Sequence, residues 1–211
     1  HTWKPAYLDS ILKLYQLLGT NSNIRYQLLH LCTQVGDAAC LMAVADQLAT
    51  DPPVSSTTVG VIFAPLFQDR NLPYDDLFPR LLDTLEHPSV AATTLDLTNY
   101  LVRKKYFAQH PASDWLATLQ SLMRDLNQRL EYLVEQPDNS EENIQQLTQT
   151  IAESVALVIA GCDALALIGQ SSSIAVLRQT MGLPHRRLQV EAAAALARLG
   201  EPSGVETLIA L

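Results

Sequence analysis

The chain has 211 residues, of which 48% are hydrophobic, 17% charged and 6% aromatic, and its formal net charge is −8. This length suits one or two compact domains, or one extended array of repeats. Because phosphate backbones repel an acidic chain, the composition argues against nucleic-acid binding, and the short basic runs 103–105 and 185–187 are expected to be solvated helix ends.

Apolar residues recur at spacings of three and four along nearly the whole chain, which predicts helices and no strand. Turn and cap residues divide this pattern into successive helices. In chain order, the first helix ends at Gly19, the next two span 24–35 and 38–49, and the fourth is interrupted by Pro65. The fifth helix ends at 87–88, the sixth begins at Ser89, the seventh is capped at 113 or 114, and the eighth follows 137–140. The last three helices lie near 173–181, near 184–199 and beyond Pro202.

Two consecutive apolar stripes, 116–133 and 144–165, have heptad-like spacing and predict helices longer than the average of about 11–12 residues. Together they indicate a long antiparallel hairpin over about 113–169. The polar loop between them carries Asp138, Glu141 and Glu142 and no basic residue, so its tip is expected to be acidic, exposed and able to contact a basic partner. The alternative is that the hairpin packs only against itself and its neighbours.

Three glycines mark an internal repeat: Gly36, Gly169 and Gly200. Apolar residues occupy the positions one, four and twelve before each glycine and the positions five and eight after it. One helix pair of this kind cannot bury its apolar stripe alone, whereas stacked pairs can.

The best copy of this repeat, RLQVEAAAALARLGEPSGVETL at 187–208, resembles the HEAT repeat family, in particular the subclass known as phycobilisome-lyase HEAT-like repeats. Leu188 stands at the family's valine position, and Gln189 stands where arginine is usual. The resemblance is strong over 184–211, fair over 20–48 and 157–181, and weak elsewhere. It implies an all-α fold of armadillo-like type, a right-handed α-α superhelix or solenoid, as one domain over 1–211 with the long hairpin as its irregular part. The absence of an initial Met and the cut repeat at Leu211 suggest part of a longer chain.

The sequence contains few candidates for catalytic or metal chemistry. It has no HExxH, no cysteine–histidine cluster, no P-loop and no GxGxxG, and its five histidines are scattered, which favours solvated or capping roles. Among enzymes with HEAT-like folds, deoxyhypusine hydroxylase uses His-Glu pairs, whereas this chain has only the reversed pair at 86–87, and DNA glycosylases need a basic groove. We therefore expect no enzyme activity, no cofactor and no metal.

The cysteines and the hydropathy of the sequence indicate in which cellular compartment the protein is expected. Cys32, Cys40 and Cys162 are odd in number and lie inside apolar helical patterns, so free thiols and a cytoplasmic location are expected. No secretory signal is visible. The most apolar stretch, 155–168, is shorter than the ~20 residues of a membrane span and contains Asp163, so we predict no membrane span.

The resemblance also suggests a binding surface, because the second helix of each HEAT pair usually lines the concave side. Aligned on the glycine anchors, the predicted track contains Tyr26, His30, Asp96, Asn99 and Asp163. Such an acidic track suits a protein partner with a basic or mixed surface. The alternative is that these residues are only solvated.

The predicted function is that of a non-enzymatic protein-binding scaffold or adaptor. Two other readings stay open: a bilin lyase or isomerase, or a subunit of one, since such enzymes carry the same repeat; and a structural segment of a multidomain protein whose other parts hold the activity.

Overall fold

The computed structural model describes residues 3–19, 22–68, 72–135 and 141–211, and within these ranges the side chains of 134, 135 and 141–146 lie outside the description. Every regular element in the described ranges is helical, which confirms the predicted all-α fold. The α-helices are α1 (Ala6–Leu17), α2 (Asn23–Val35), α3 (Ala38–Thr50), α4 (Ser56–Phe63), α5 (Tyr74–Leu82), α6 (Pro88–Arg103), α7 (Leu116–Glu135), α8 (Glu141–Ile168), α9 (Ile174–Met181), α10 (Arg186–Arg198) and α11 (Pro202–Ala210).

The contacts divide the chain into two compact units, His1–Thr93 and Thr94–Leu211. The division falls inside α6, where the sequence analysis places no boundary.

In the N-terminal unit, α2 packs against α1, α3 and α4, and α3 packs against α5. The turn between α2 and α3 is made by Gly36, whose φ of 71° is left-handed, and by Asp37, whose carboxylate accepts the Cys40 N–H at 2.7 Å. This N-cap bond satisfies one of the backbone donors left free at the start of a helix. The fully buried core includes Tyr15, Leu29, Leu41, Leu48, Ile62, Phe63, Phe78 and Leu81.

In the C-terminal unit, α8 packs against α7 and α10, and α10 packs against α9 and α11. The helices α7 and α8 contain 20 and 28 residues, so they are long and consecutive as the apolar stripes predict. Gly169 and Gly200, which follow α8 and α10, have φ angles of 75° and 82°. All three repeat glycines therefore adopt the conformation that favours glycine.

Close backbone approach distinguishes two helix contacts in this unit. A Cβ at Gly204 of α11 would lie 2.5 Å from the Ala193 carbonyl oxygen and 2.6 Å from the Ala197 nitrogen of α10. A Cβ at Gly161 of α8 would lie 2.4 Å from Met123 Sδ of α7, where the obstacle is the flexible end of a side chain. Only at Gly204 would the added Cβ meet backbone atoms, which cannot move aside as a flexible side chain can, so Gly204 is the stricter requirement.

Within the described residues, α8 also holds the one apolar segment long enough to cross a membrane, Leu147–Ile168, with a mean hydropathy of 2.0 over its most apolar window. This segment of 22 residues corrects the shorter estimate of 155–168 from the sequence. More than half of that window, 56%, is buried inside the protein, as it is in core helices. That there is no membrane span stays a prediction.

Two glycine substitutions should have opposite effects on stability. Gly204→Ala should reduce the free energy of unfolding by about 1–3 kcal/mol, because the added methyl group meets the backbone of α10. Gly60→Ala in α4 should increase it by about 0.5–1 kcal/mol, because nothing lies within 4 Å of the new Cβ and alanine favours the helix. Urea unfolding followed by circular dichroism measures both. Equal effects of the two substitutions would contradict the close packing of α11 on α10.

Candidate functional site

A group of charged side chains from three helices lies together in the C-terminal unit. Asp163 of α8 accepts hydrogen bonds from Arg103 of α6 and, at 2.8 Å, from Nη1 of Arg198 of α10. Asp96 lies seven residues, or about two helical turns, before Arg103 on α6. We call Asp96, Arg103, Asp163 and Arg198 the charged face. The sequence analysis selected the two aspartates and treated Arg103 as a solvated helix end, and it missed Arg198.

The four residues of the charged face differ in their freedom to bind. The side chain of Asp163 is only 16% exposed, whereas those of Arg103 and Arg198 are 51% and 50% exposed. Asp96 is exposed, and it takes part in none of the ion pairs found among the described residues. Desolvation by the surrounding protein, and then the negative charge of Asp163, raise the pKa of Asp96 to about 6, against the opposing effect of Arg103.

Asn99 corrects the predicted track, because it is buried rather than exposed, with 2% of its surface accessible. Three residues along a helix amount to a rotation of about 300°, so the Asn99 side chain lies only about 60° around the helix from that of Asp96, at the edge where α6 meets α8. Its Nδ2 donates to the Ala160 carbonyl oxygen at 3.0 Å, and its Oδ1 lies 2.9 Å from His110 Nε2. Asn99 therefore joins helices and cannot contact a partner.

His110 completes this buried chain of hydrogen bonds. Its Nδ1 accepts the Ala112 N–H at 3.1 Å, so the ring hydrogen lies on Nε2 and is donated to Asn99. It caps a 3-10 turn, Pro111–Trp115, that leads into α7. Residues 113 and 114, which the sequence analysis proposed as the cap of the seventh helix, lie inside this 3-10 turn. Burial lowers the pKa of His110 to about 4, which keeps the ring neutral at physiological pH.

His30, in the N-terminal unit, also has a structural partner. In a continuous α-helix the Val61 carbonyl would accept the N–H of residue 65, but Pro65 has none. His30 Nδ1 lies 2.7 Å from that carbonyl oxygen and supplies the missing donor. The Thr33 hydroxyl lies 2.6 Å from the next carbonyl oxygen, that of Ile62. These contacts hold the end of α4, which continues as a 3-10 turn over Ala64–Phe67.

The other predicted contact residues are placed as follows. Tyr26 is half-buried on α2. Glu141 and Glu142 form the start of α8, but their side chains lie outside the described part, and Asp138 lies outside it altogether. The predicted acidic tip of the hairpin therefore remains a prediction.

The thiols are poor nucleophiles in this fold. Cys32, Cys40 and Cys162 are buried and free. Burial is the main cause that raises the pKa of each thiol, to about 12 for Cys162, so the reactive thiolate is scarce at neutral pH. Among the described residues, no group of three or more histidine, cysteine or acidic side chains could hold a metal ion.

The buried His110 should make stability depend on pH. Because the pKa of His110 is lowered from 6.5 to about 4 on folding, its contribution is complete above pH 6.5 and is lost as the pH falls towards 4. The loss should be about 3 kcal/mol by pH 4. Asp96, whose pKa is raised, affects the pH dependence of stability in the opposite direction. The contribution of His110 is therefore isolated by comparing the wild type with His110→Gln in the same buffers, because Asp96 is present in both. The stability advantage of the wild type should shrink by that amount between pH 7.5 and pH 4, and a constant advantage would contradict the assignment.

The contact between α2 and α4 can be tested through Thr33. Thr33→Val keeps the shape of the side chain but leaves the Ile62 carbonyl without its donor, which should cost about 1–3 kcal/mol. Thr50→Val is the matched control, because Thr50 bonds the Asp46 carbonyl at an exposed site and its loss should change stability by less than about 0.5 kcal/mol. The midpoints of thermal unfolding of the two variants test this prediction. Equal midpoints would count against a hydrogen bond from Thr33 to the Ile62 carbonyl.

Comparisons with models of protein families, with curated proteins and with solved structures find no match to this chain. The resemblance to HEAT repeats thus rests on the sequence pattern, and the family remains a prediction.

Proposed function

We propose that this chain is a non-enzymatic scaffold that binds a protein partner, and that its helical hairpins stack in a right-handed, HEAT-like superhelix. Contacts within the C-terminal unit support the stacking. Asp163 links α8 to α6 and to α10, while α7 contacts α9. Alternate helices along the chain are thus neighbours, which is the pattern expected of hairpins packed in a row.

The observation that carries the binding proposal is that the exposed carboxylate of Asp96 has no ion-pair partner among the described residues, whereas the carboxylate of Asp163 has two. Asp163 already has two arginine partners, so its charge is compensated. Asp96 has none among the described residues, so a lysine or arginine of a partner can pair with it. The half-exposed guanidinium groups of Arg103 and Arg198 offer donors to acidic groups of the same partner. This alternation of charge fits a partner surface of mixed charge with a basic residue opposite Asp96, and it favours specificity over raw affinity.

The charged face is also held in place before a partner arrives. Asn99 and His110 fix α6 against α8 from inside the fold, and Arg198 fixes α10 to α8 at the surface. A binding surface whose side chains are already ordered loses less entropy on association.

The same contacts disfavour a catalytic role for these groups. Both ring nitrogens of His110 are engaged inside the protein, so the ring cannot take a proton from a substrate. The carboxylate of Asp163 is already engaged by the guanidinium groups of Arg103 and Arg198.

The test is affinity capture from native lysate with three baits: wild type, Asp96→Arg and Asp125→Arg. Both substitutions change the net charge equally at exposed positions, but Asp125 lies on α7 and does not belong to the charged face. Quantitative mass spectrometry should show a protein that wild type and Asp125→Arg retain and that Asp96→Arg loses by at least about fivefold, about 1 kcal/mol. Lowering the pH from 7.5 to 5.5 should also weaken capture, because the pKa of Asp96 is raised to about 6.

A set of captured proteins that is the same for all three baits would remove the charged face from the binding model. Incubation with a bilin separately tests the alternative of a bilin lyase. A scaffold leaves the absorbance spectrum of the bilin unchanged, whereas a shifted spectrum would favour the lyase.

A further inference from the structure

A groove of about 420 Å³ lies in the C-terminal unit along the middle of α8, and no residue of the charged face lines it. Its floor is formed by one side of α8, residues Thr148, Ile151, Ala152, Val155 and Ala156. These spacings of three and four place the five residues on one helical face, about 12 Å long at the rise of an α-helix. Four of the five residues are apolar, and Thr148, Ala152 and Ala156 are exposed, so the floor is largely apolar and accessible.

A small apolar pocket opens beside this groove. Its lining shares Ile151 and His185 with the groove and adds Leu130, Leu183 and Leu188. Its space of about 20 Å³ is little more than one water molecule needs, so it can take the tip of an apolar side chain that lies in the groove.

The rim of the groove is basic. Arg187 is exposed and forms no ion pair or hydrogen bond among the described residues. His185 caps α10 through Nδ1, which accepts the Leu188 N–H at 3.4 Å, so the ring hydrogen lies on Nε2 and is free to be donated. Because α10 begins at Arg186, the positive end of its dipole is also directed at this site.

We propose that the groove binds an acidic amphipathic helix of a partner protein. Its apolar side would lie on Thr148–Ala156 of α8, with the tip of one apolar side chain in the pocket beside Leu130 and Leu188. Its carboxylates would pair with Arg187 and accept from His185. Like the proposed function, this inference concerns the binding of a protein partner, but the groove uses none of the residues of the charged face.

The dimensions and the charge of the groove select this occupant. A floor of about 12 Å matches roughly two turns of helix, and the small side chains of Ala152 and Ala156 leave room for a helix to approach closely. An apolar groove that receives an amphipathic helix is a recurring mode of recognition. The unpaired cation and the free imidazole donor at its rim favour an acidic helix over a basic one.

Two synthetic 16-residue helical peptides would serve as probes, with the same leucine stripe and with either glutamate or lysine on the polar face. Fluorescence anisotropy should show that the glutamate peptide binds at least tenfold more tightly than the lysine peptide. Arg187→Glu, which reverses the rim charge, and Ala152→Trp, which fills the groove, should each weaken binding of the glutamate peptide at least tenfold. Arg124→Glu is the matched control on α7, an exposed arginine outside the groove, and it should change binding by less than twofold.

The proposal is overturned if the two peptides bind equally, if neither binds at millimolar concentration, or if Arg187→Glu behaves like Arg124→Glu. A dimer in sedimentation equilibrium that Ala152→Trp dissociates would instead assign the groove to a second copy of the chain. Binding of anionic lipid vesicles with no binding of the glutamate peptide would assign it to a membrane surface. Asp96→Arg should leave peptide binding unchanged, which separates this test from that of the charged face.

Discussion

The need to satisfy backbone polar groups wherever a helix is interrupted explains several contacts of this protein. A proline at position 65 leaves the Val61 carbonyl of α4 without its usual donor, and His30 of α2 supplies one. The 3-10 turn before α7 begins with free N–H groups, and His110 accepts one of them. Because these donors and acceptors come from neighbouring elements, satisfying the backbone also joins the elements. Each such bond contributes only about 1 kcal/mol net, but leaving its buried partner unsatisfied costs more, so the helices are held in these positions.

This requirement also separates structural polar residues from those able to bind a partner. His30, Asn99 and His110 are polar residues on helical faces or caps, and each is used inside the protein. Asp96 and Arg187 are charged residues with no ion pair among the described residues, and both are exposed. A free exposed charge can gain a partner without breaking an existing bond, whereas a satisfied buried group cannot. The two proposed binding sites are therefore built on Asp96 and Arg187, supported by the ordered side chains around them.

The two sites differ in chemistry and do not compete for the same residues. The charged face alternates acidic and basic groups, with Asp163 compensated by two arginines, so it suits a polar surface of mixed charge. The groove along α8 is apolar with a basic rim, so it suits an acidic amphipathic segment. One long helix, α8, serves both: Asp163 lies near its end, and residues 148–156 near its middle form the groove floor. Since α10 begins only at Arg186, it leaves Thr148, Ala152 and Ala156 of α8 exposed.

By itself the sequence determined the helical content, most helix limits and the three glycine turns, because the spacing of apolar residues and the conformational freedom of glycine are local properties of the chain. It also singled out Asp96 and Asp163. What it could not determine was the rotation of each helix about its axis and the residues that face it from other elements. Asn99 lies only three residues from Asp96, yet its side chain is buried by α8, and Arg103 and Arg198 reach Asp163 from positions 60 and 35 residues away. Tertiary structure alone decided these contacts, because ion pairs and caps between distant segments leave no periodic signal in a single sequence.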